Sequence, residues 1–471
     1  MIQLSADEAE IAPGRAYRWQ LSFPGPGPVP ASRRPTSFNQ AAHLAAARSA
    51  QAVNRPAPFA LAIACGFELP GSVDLPTLEA AFLHLVCRHE VLRTHCRHTD
   101  RGVAVHVRAP DEARLERTEA GRLPSRTAAR AHLHELLRLV DPVAGPLVAM
   151  GAVVRESSTT VHIVYDHLVA DLLSAPITVA DLARAYDDLA HGREPDPTPA
   201  GSYVDFAREE RAHNLGLRAH DERLRHWQDF VTRGARFTPA FPLDLGIQEG
   251  RLLPPVNRTR TLLSAPLTQQ LETACRASGG TLLAGLLAAM AAAVRDEGGP
   301  DVYRALVPVN RRGRHQYARS VGWFVNAVPV EIPAPHHTPL TAVIPLARAA
   351  FDAGRHQADV HLVRAQQLLG RTNGIEADTS SVNFLSYLDF RTAPGAEHAA
   401  TRTAAVHVWS PACNGNLAWM HRTHSGLHLN TLHPDTPRAR RTVASLMRTL
   451  SRTLRTLAEE PRRPVAPGAG S

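Results

Sequence analysis

Thr159–Tyr165 (TTVHIVY) reads as a β-strand, Ala175–Leu189 repeats its apolar residues at helical spacing, and only the nine residues DHLVADLLS join them. A strand that passes this quickly into a helix places the connection at a sheet edge, where side chains stand clear of the packed layers. Asp166, His167, Asp171 and Ser174 all lie in that connection. The chain must therefore contain an α/β layer that carries a polar, chemistry-bearing turn.

The remaining pattern extends this architecture. Leu78, Ala81, Phe82, Leu85 and Val86 fall on one helical stripe behind Asp74, which is placed as an N-cap. Gly192–Gly201 (GREPDPTPAG) reads as a proline-rich connector, followed by a polar helix from Tyr203 to about Val231. In the second half, strand-like Arg258–Leu263 precedes an apolar helix over 282–294, then strand-like Tyr303–Val309 and the alternating SVGWFVNAVPVEI. The expected organisation is an extended arm over 1–35, a first lobe over 36–195, a second lobe with its connector helix over 196–460, and a disordered tail over 461–471.

Composition narrows the partners. The chain has 471 residues and a net charge of +8, and its 52 basic residues include no lysine. With 5% aromatics it lacks the interleaved basic and aromatic residues of a single-strand nucleic-acid binder, so no nucleic acid is expected. The longest apolar run, LLAGLLAAMAAAV, falls short of the ~20 residues of a membrane span and is read as a core helix. Five cysteines with no paired spacing and no signal-type opening fit a reducing, cytoplasmic setting. The C-terminal helix carries Val443, Leu446, Leu450, Leu454 and Leu457 on one stripe, with Arg441, Arg448, Arg452 and Arg455 elsewhere, and is read as packed with a solvated face.

Among 25 histidines, His167 is the one that the strand-to-turn context singles out. A neutral imidazole there can take the proton of an attacking amine or hydroxyl, an assistance that contributes ~10²–10⁴ in rate. A satisfied structural histidine is the alternative. His421, His424, His428 and His433 lie in a strand-like stretch without a carboxylate or cysteine to complete a metal set, so no metal is expected. Cys87 and Cys96 are read as inert thiols.

The chain resembles the condensation domains of nonribosomal peptide synthesis, which share their fold with chloramphenicol acetyltransferase. Their signature is His-His-x-x-x-Asp-Gly. Here Asp166-His167-Leu168-Val169-Ala170-Asp171-Leu172 keeps the second His and the Asp, while Asp166 and Leu172 replace the first His and the Gly. RHEVLRT (Arg88–Thr94), SYVDFA (Ser202–Ala207) and VGWFVNAVPV (Val321–Val330) match further family motifs in family order, and TSFNQ and RHQADV match more loosely.

The resemblance implies two chloramphenicol-acetyltransferase-like lobes forming a V-shaped pseudo-dimer around a central tunnel, in one free-standing, monomeric unit. It implies transfer of an acyl or aminoacyl group from the phosphopantetheine thioester of an acyl or peptidyl carrier protein to a small-molecule amine or hydroxyl, with no bound cofactor. Within that reading His167 is the base, and Asp166 and Asp171 complete the catalytic motif. Arg312, with Arg311 as rival, would hold Asp171, and Arg93 would support the fold; Leu172, Ser174, Trp323 and Asn326 would line the tunnel. Asp166, Asp171 and Ser174 also fit the Asp-x4-Asp-x2-Ser pattern of heterocyclisation domains. A silent carrier-docking module is the reading from a different class.

Overall fold

The computed structural model describes residues 1–24, 34–57, 61–99, 102–248, 251–373 and 382–460. The tail over 461–471 and most of the proline-rich stretch before Thr36 lie outside these residues. Two large sheets organise the chain. The first has seven strands in the spatial order Ile2–Leu4, Ala405–Trp409, Ala62–Pro70, Ser158–Asp166, Val148–Val154, Gly14–Ser22 and Arg114–Leu123. The second has six, in the order Pro255–Ser264, Gly426–Pro434, Leu417–Thr423, Phe384–Asp389, Val302–Asn310 and Val325–Pro333.

The strand that ends in the motif is central to the first sheet. Ser158–Asp166 pairs antiparallel with both Ala62–Pro70 and Val148–Val154, and is buried along most of its length. That double burial explains its nearly continuous apolar run. The helix Ser174–Ala190 then packs against the helix Leu75–Arg88, with Ala175, Ile177, Val179, Leu182 and Ala183 in the same core cluster. Within the turn Leu168, Val169 and Ala170 are fully buried. Burying a Leu or Val side chain contributes roughly 1.5–3 kcal/mol, so the turn is anchored from beneath, with Asp166, Asp171 and Ser174 also buried and His167 partly exposed.

One expectation about organisation is corrected and another refined. Residues 1–24 do not form the extended arm expected over 1–35, because Gly14–Ser22 is an interior strand paired on both sides and Ile2–Leu4 runs parallel to Ala405–Trp409. The hydrophobic half of Gly14–Ser22 supplies the reason: Ala16 and Trp19 are buried in the first-sheet layers. The division at residue 195 is crossed by one strand, since Ala405–Trp409, from the second half, is inserted beside Ala62–Pro70 in the first sheet. That exchanged strand ties the halves together through backbone hydrogen bonds. The helix Leu282–Asp296, with twelve buried residues, is a core element of the second sheet. The C-terminal helix Pro437–Glu459 buries its leucine stripe and exposes Arg441, Arg448, Arg452 and Arg455.

Candidate active site

His167 sits just past the end of its strand, with its backbone N–H donating to Leu61 O at 3.0 Å. Its ring Nδ1 lies 2.7 Å from Ala170 O. A carbonyl only accepts, so Nδ1 carries the proton and Nε2 keeps the lone pair. Burial pushes the imidazole below its ordinary value of 6.5, and neighbouring His43 pushes the same way. The Ala170 carbonyl and the Asp171 and Asp166 carboxylates oppose this without reversing it. His167 is thus an oriented, neutral imidazole at pH 7.

Asp171 is buried and does not face the reacting position. Its carboxylate is gripped by Arg312 in a fork, Nη1 to Oδ2 at 2.7 Å and Nη2 to Oδ1 at 2.8 Å, and it also accepts from the N–H groups of Ser174 and Phe324 at 3.0 Å each. Charge-assisted bidentate pairs of this kind are among the strongest hydrogen bonds in proteins. Arg311, the rival, pairs with Asp359 instead. Ser174, expected in a tunnel wall, is locked into the same cluster: its hydroxyl meets Asp171 Oδ1 at 3.0 Å, and Arg312 Nη2, Gly322 O and Gly322 N at 3.2 Å each.

Asp166 also turns away from His167. Its Oδ1 accepts from Leu168 N–H at 2.8 Å and from Nε2 of His43, in the helix Phe38–Ala52, at 3.0 Å. Asp166 raises the His167 imidazole, but its pull is the weakest acting there and burial prevails. With both carboxylates held by fixed partners, the cyclisation pattern has no free acid or base. The Asp166→Asn variant keeps an oxygen for both donors and is expected to cost about 1–3 kcal/mol of stability, measured by denaturant midpoint, while leaving the acid limb of the pH–rate profile in place. A plateau that collapses at every pH with unchanged stability would mean that Asp166 takes part in the chemistry.

The segment Ser320–Val325 from the second half closes over the motif, and the separate sequence motifs meet on it. Val321 N–H donates to His89 Nδ1 at 3.3 Å, and His89 Nε2 donates to Asp181 at 3.0 Å, so RHEVLRT reaches across. Tyr203 of SYVDFA donates to Ser37 Oγ at 3.0 Å and to Trp323 O at 3.2 Å. From TSFNQ, Gln40 Nε2 donates to Leu168 O at 2.9 Å and Asn39 Nδ2 to Val325 O at 2.6 Å. Gly322 is required by close approach, since a Cβ there would stand 2.6 Å from the Tyr203 ring and 2.7 Å from that of Phe324. Trp323 emerges from this clamp and stacks on His167, ring centroids 3.9 Å apart and 20° from parallel. It meets His43 edge-on at 5.7 Å.

The other expected positions divide. Leu172 is half-buried beside the first core cluster. Asn326 does not line a channel: its Nδ2 donates to Ala358 O and Val360 O at 2.9 Å each, and its Oδ1 accepts from the N–H groups of Ala327 and Leu362, so it pins the start of a helix. Arg93 caps the helix Leu75–Arg88, donating to Val86 O, Cys87 O and Arg108 O. His421 and His428 stack on each other across paired strands, both held neutral by burial. Burial pushes the Cys96 thiol up to about 12, which removes it as a nucleophile. His43 went unmarked in the sequence, although it follows Gln40 by one helical turn and so shares its face.

Comparison with known proteins places this geometry. The 2'-acyl-2-O-sulfo-trehalose (hydroxy)phthioceranyltransferase PapA1 of Mycobacterium tuberculosis is 27% identical over 467 residues, covering 95% of this chain and 87% of its own. The PapA2 acyl transferase structure superposes with a TM-score of 0.87 at 21% identity, over 98% of this chain and 100% of that one. The first condensation domain of the CDA synthetase superposes at 0.70 with 18% identity, over 92% and 97%. The fold is therefore the α/β architecture expected from the resemblance, and the enzyme is an acyltransferase. The Condensation domain family model matches residues 53–465, and the chain belongs to that family.

Proposed function

We propose that this acyltransferase esterifies a hydroxyl acceptor, taking its acyl group from the phosphopantetheine thioester of a carrier protein. The observation that carries the reading is the 2.7 Å contact of His167 Nδ1 with the Ala170 carbonyl, which can only accept and so leaves the lone pair on Nε2. The acceptor O–H gives its proton to Nε2 as the oxygen attacks the thioester carbonyl. The C–S bond then breaks, and the imidazolium returns the proton to the departing thiolate. One ester and one free thiol result, and His167 is regenerated. A hydroxyl is preferred over an amine because relatives are named as acyltransferases of trehalose sulfates, in which the acceptor is a sugar.

Intact-mass measurement of an acylated carrier protein, offered sugar alcohols and amines in separate arms, tests the reading. Acyl loss should depend on the sugar and on His167. Product formed only with amines would make the enzyme amide-forming, and carrier binding without any turnover would make the protein a docking module. Because the protein is basic, transfer from an acidic carrier should slow as salt rises. Equal or faster transfer from the matching acyl-coenzyme A would move the donor to that small molecule.

A further inference from the structure

Trp323 is not held where it is by its own side chain's needs. Its backbone is fixed at four neighbouring points: Gly322 N and O to Ser174, Trp323 O to Tyr203, and Phe324 N to Asp171. These contacts lay the indole face on the imidazole of His167, at 3.9 Å and 20° from parallel. An indole needs no such neighbour to fill space. A face-on contact at this distance has a specific electrostatic consequence, because an aromatic face carries partial negative charge and attracts a cation placed over it.

We propose that Trp323 is a positioning residue of the acyl transfer, holding the His167 ring in plane and stabilising the imidazolium that forms when His167 takes the acceptor proton. The inference rests on the base role of His167 and adds to it the group that accommodates the developing charge. Such a group is needed here. The titratable groups facing His167 are His43 from the helix Phe38–Ala52, Asp166 at the strand end and Asp171 in the turn. His43 disfavours a positive charge on His167, Asp166 is engaged by His43, and Asp171 is neutralised by Arg312. Burial disfavours the cation further. The Ala170 carbonyl on Nδ1 favours the imidazolium from the ring edge, and the indole face adds a contact that favours it from above, at van der Waals distance and without competing for its proton.

A residue that merely covers His167 and one that stabilises its cation predict opposite signs. Removing a cover lets water reach the ring, which eases protonation and raises the imidazole pKa. Removing a cation-stabilising face makes protonation harder and lowers it. Trp323→Leu keeps an apolar cover while deleting the face, and Trp323→Phe keeps a weaker face. Carbon-labelled histidine ring resonances, with that of His167 assigned by its absence in His167→Gln, give the pKa directly and need no substrate.

The expected result is a fall of about half to one and a half pH units in Trp323→Leu, and a smaller fall in Trp323→Phe. With the acylated carrier and sugar acceptor, kcat should drop about 2- to 30-fold for the leucine variant with KM changed less, and the acid limb should move to lower pH. An unchanged or raised His167 pKa overturns the proposal. If the leucine variant does not fold, the phenylalanine variant decides by the same sign. Should His167→Ala remain active while Trp323→Leu lowers the pKa, the base assignment fails and the stacking energetics stand; inactivity of His167→Ala beside an unaltered Trp323→Leu defeats the present inference alone.

Discussion

Replacing His167 with alanine is expected to lower acyl transfer at least ~10²-fold, the low end for a positioned general base, with the denaturation midpoint nearly unchanged. The small stability cost follows from how little the imidazole holds. Among the described residues the ring makes one hydrogen bond, to Ala170 O, and one aromatic stack, whereas Leu168, Val169 and Ala170 beneath it keep the turn anchored. Activity within threefold of the parent would remove His167 from the mechanism. The pH profile gives an independent check. Since burial and His43 lower the imidazole, the base stays free to a lower pH than an exposed histidine would, and the acid limb should lie below 6.5. A limb above that value would mean that the imidazolium, not the imidazole, is favoured in the site.

What the sequence disclosed of this site is what short-range pattern can encode. The strand, turn and helix around Asp166–Ser174 were legible because burial on both faces makes a continuous apolar run and the turn interrupts it. Arg312 was the favoured partner of Asp171, and its guanidinium makes that fork. Other features depend on contacts that no local pattern records. His43 reaches Asp166 across 123 positions, and nothing in the spacing of either residue declares the other. Asn326 was misread because an asparagine in an alternating segment looks the same whether it faces a cavity or satisfies the N–H and C=O groups of a neighbouring loop. The exchanged strand Ala405–Trp409 is five residues long, and its pairing partner is chosen by topology, not by composition. Gly14–Ser22 hid as a strand because its arginines break the apolar alternation that marks one.

The turn itself depends on the buried pair, and here the largest effect on stability is expected. Asp171→Ala should destabilise the protein by about 3–5 kcal/mol, because the Arg312 guanidinium would stay buried with its charge unmatched. The loss would extend beyond the pair. Phe324 N–H and Ser174 N–H would lose their acceptor, and with them the segment that carries Trp323 would lose one of its anchors. Activity should therefore fall in parallel with stability, through displacement of Trp323 and the turn, since Asp171 touches neither nitrogen of His167 in this arrangement. The double variant Asp171→Ala with Arg312→Met separates the two contributions. Deleting the stranded charge should return part of the lost stability, giving a coupling energy well above the ~0.5 kcal/mol of independent sites. Equal and additive losses in the two single variants would show that the fork contributes little. A soluble Asp171→Ala protein with an unchanged denaturation midpoint and no turnover would instead assign the carboxylate a chemical role, and the distinction between a base and its scaffold at this turn would have to be redrawn.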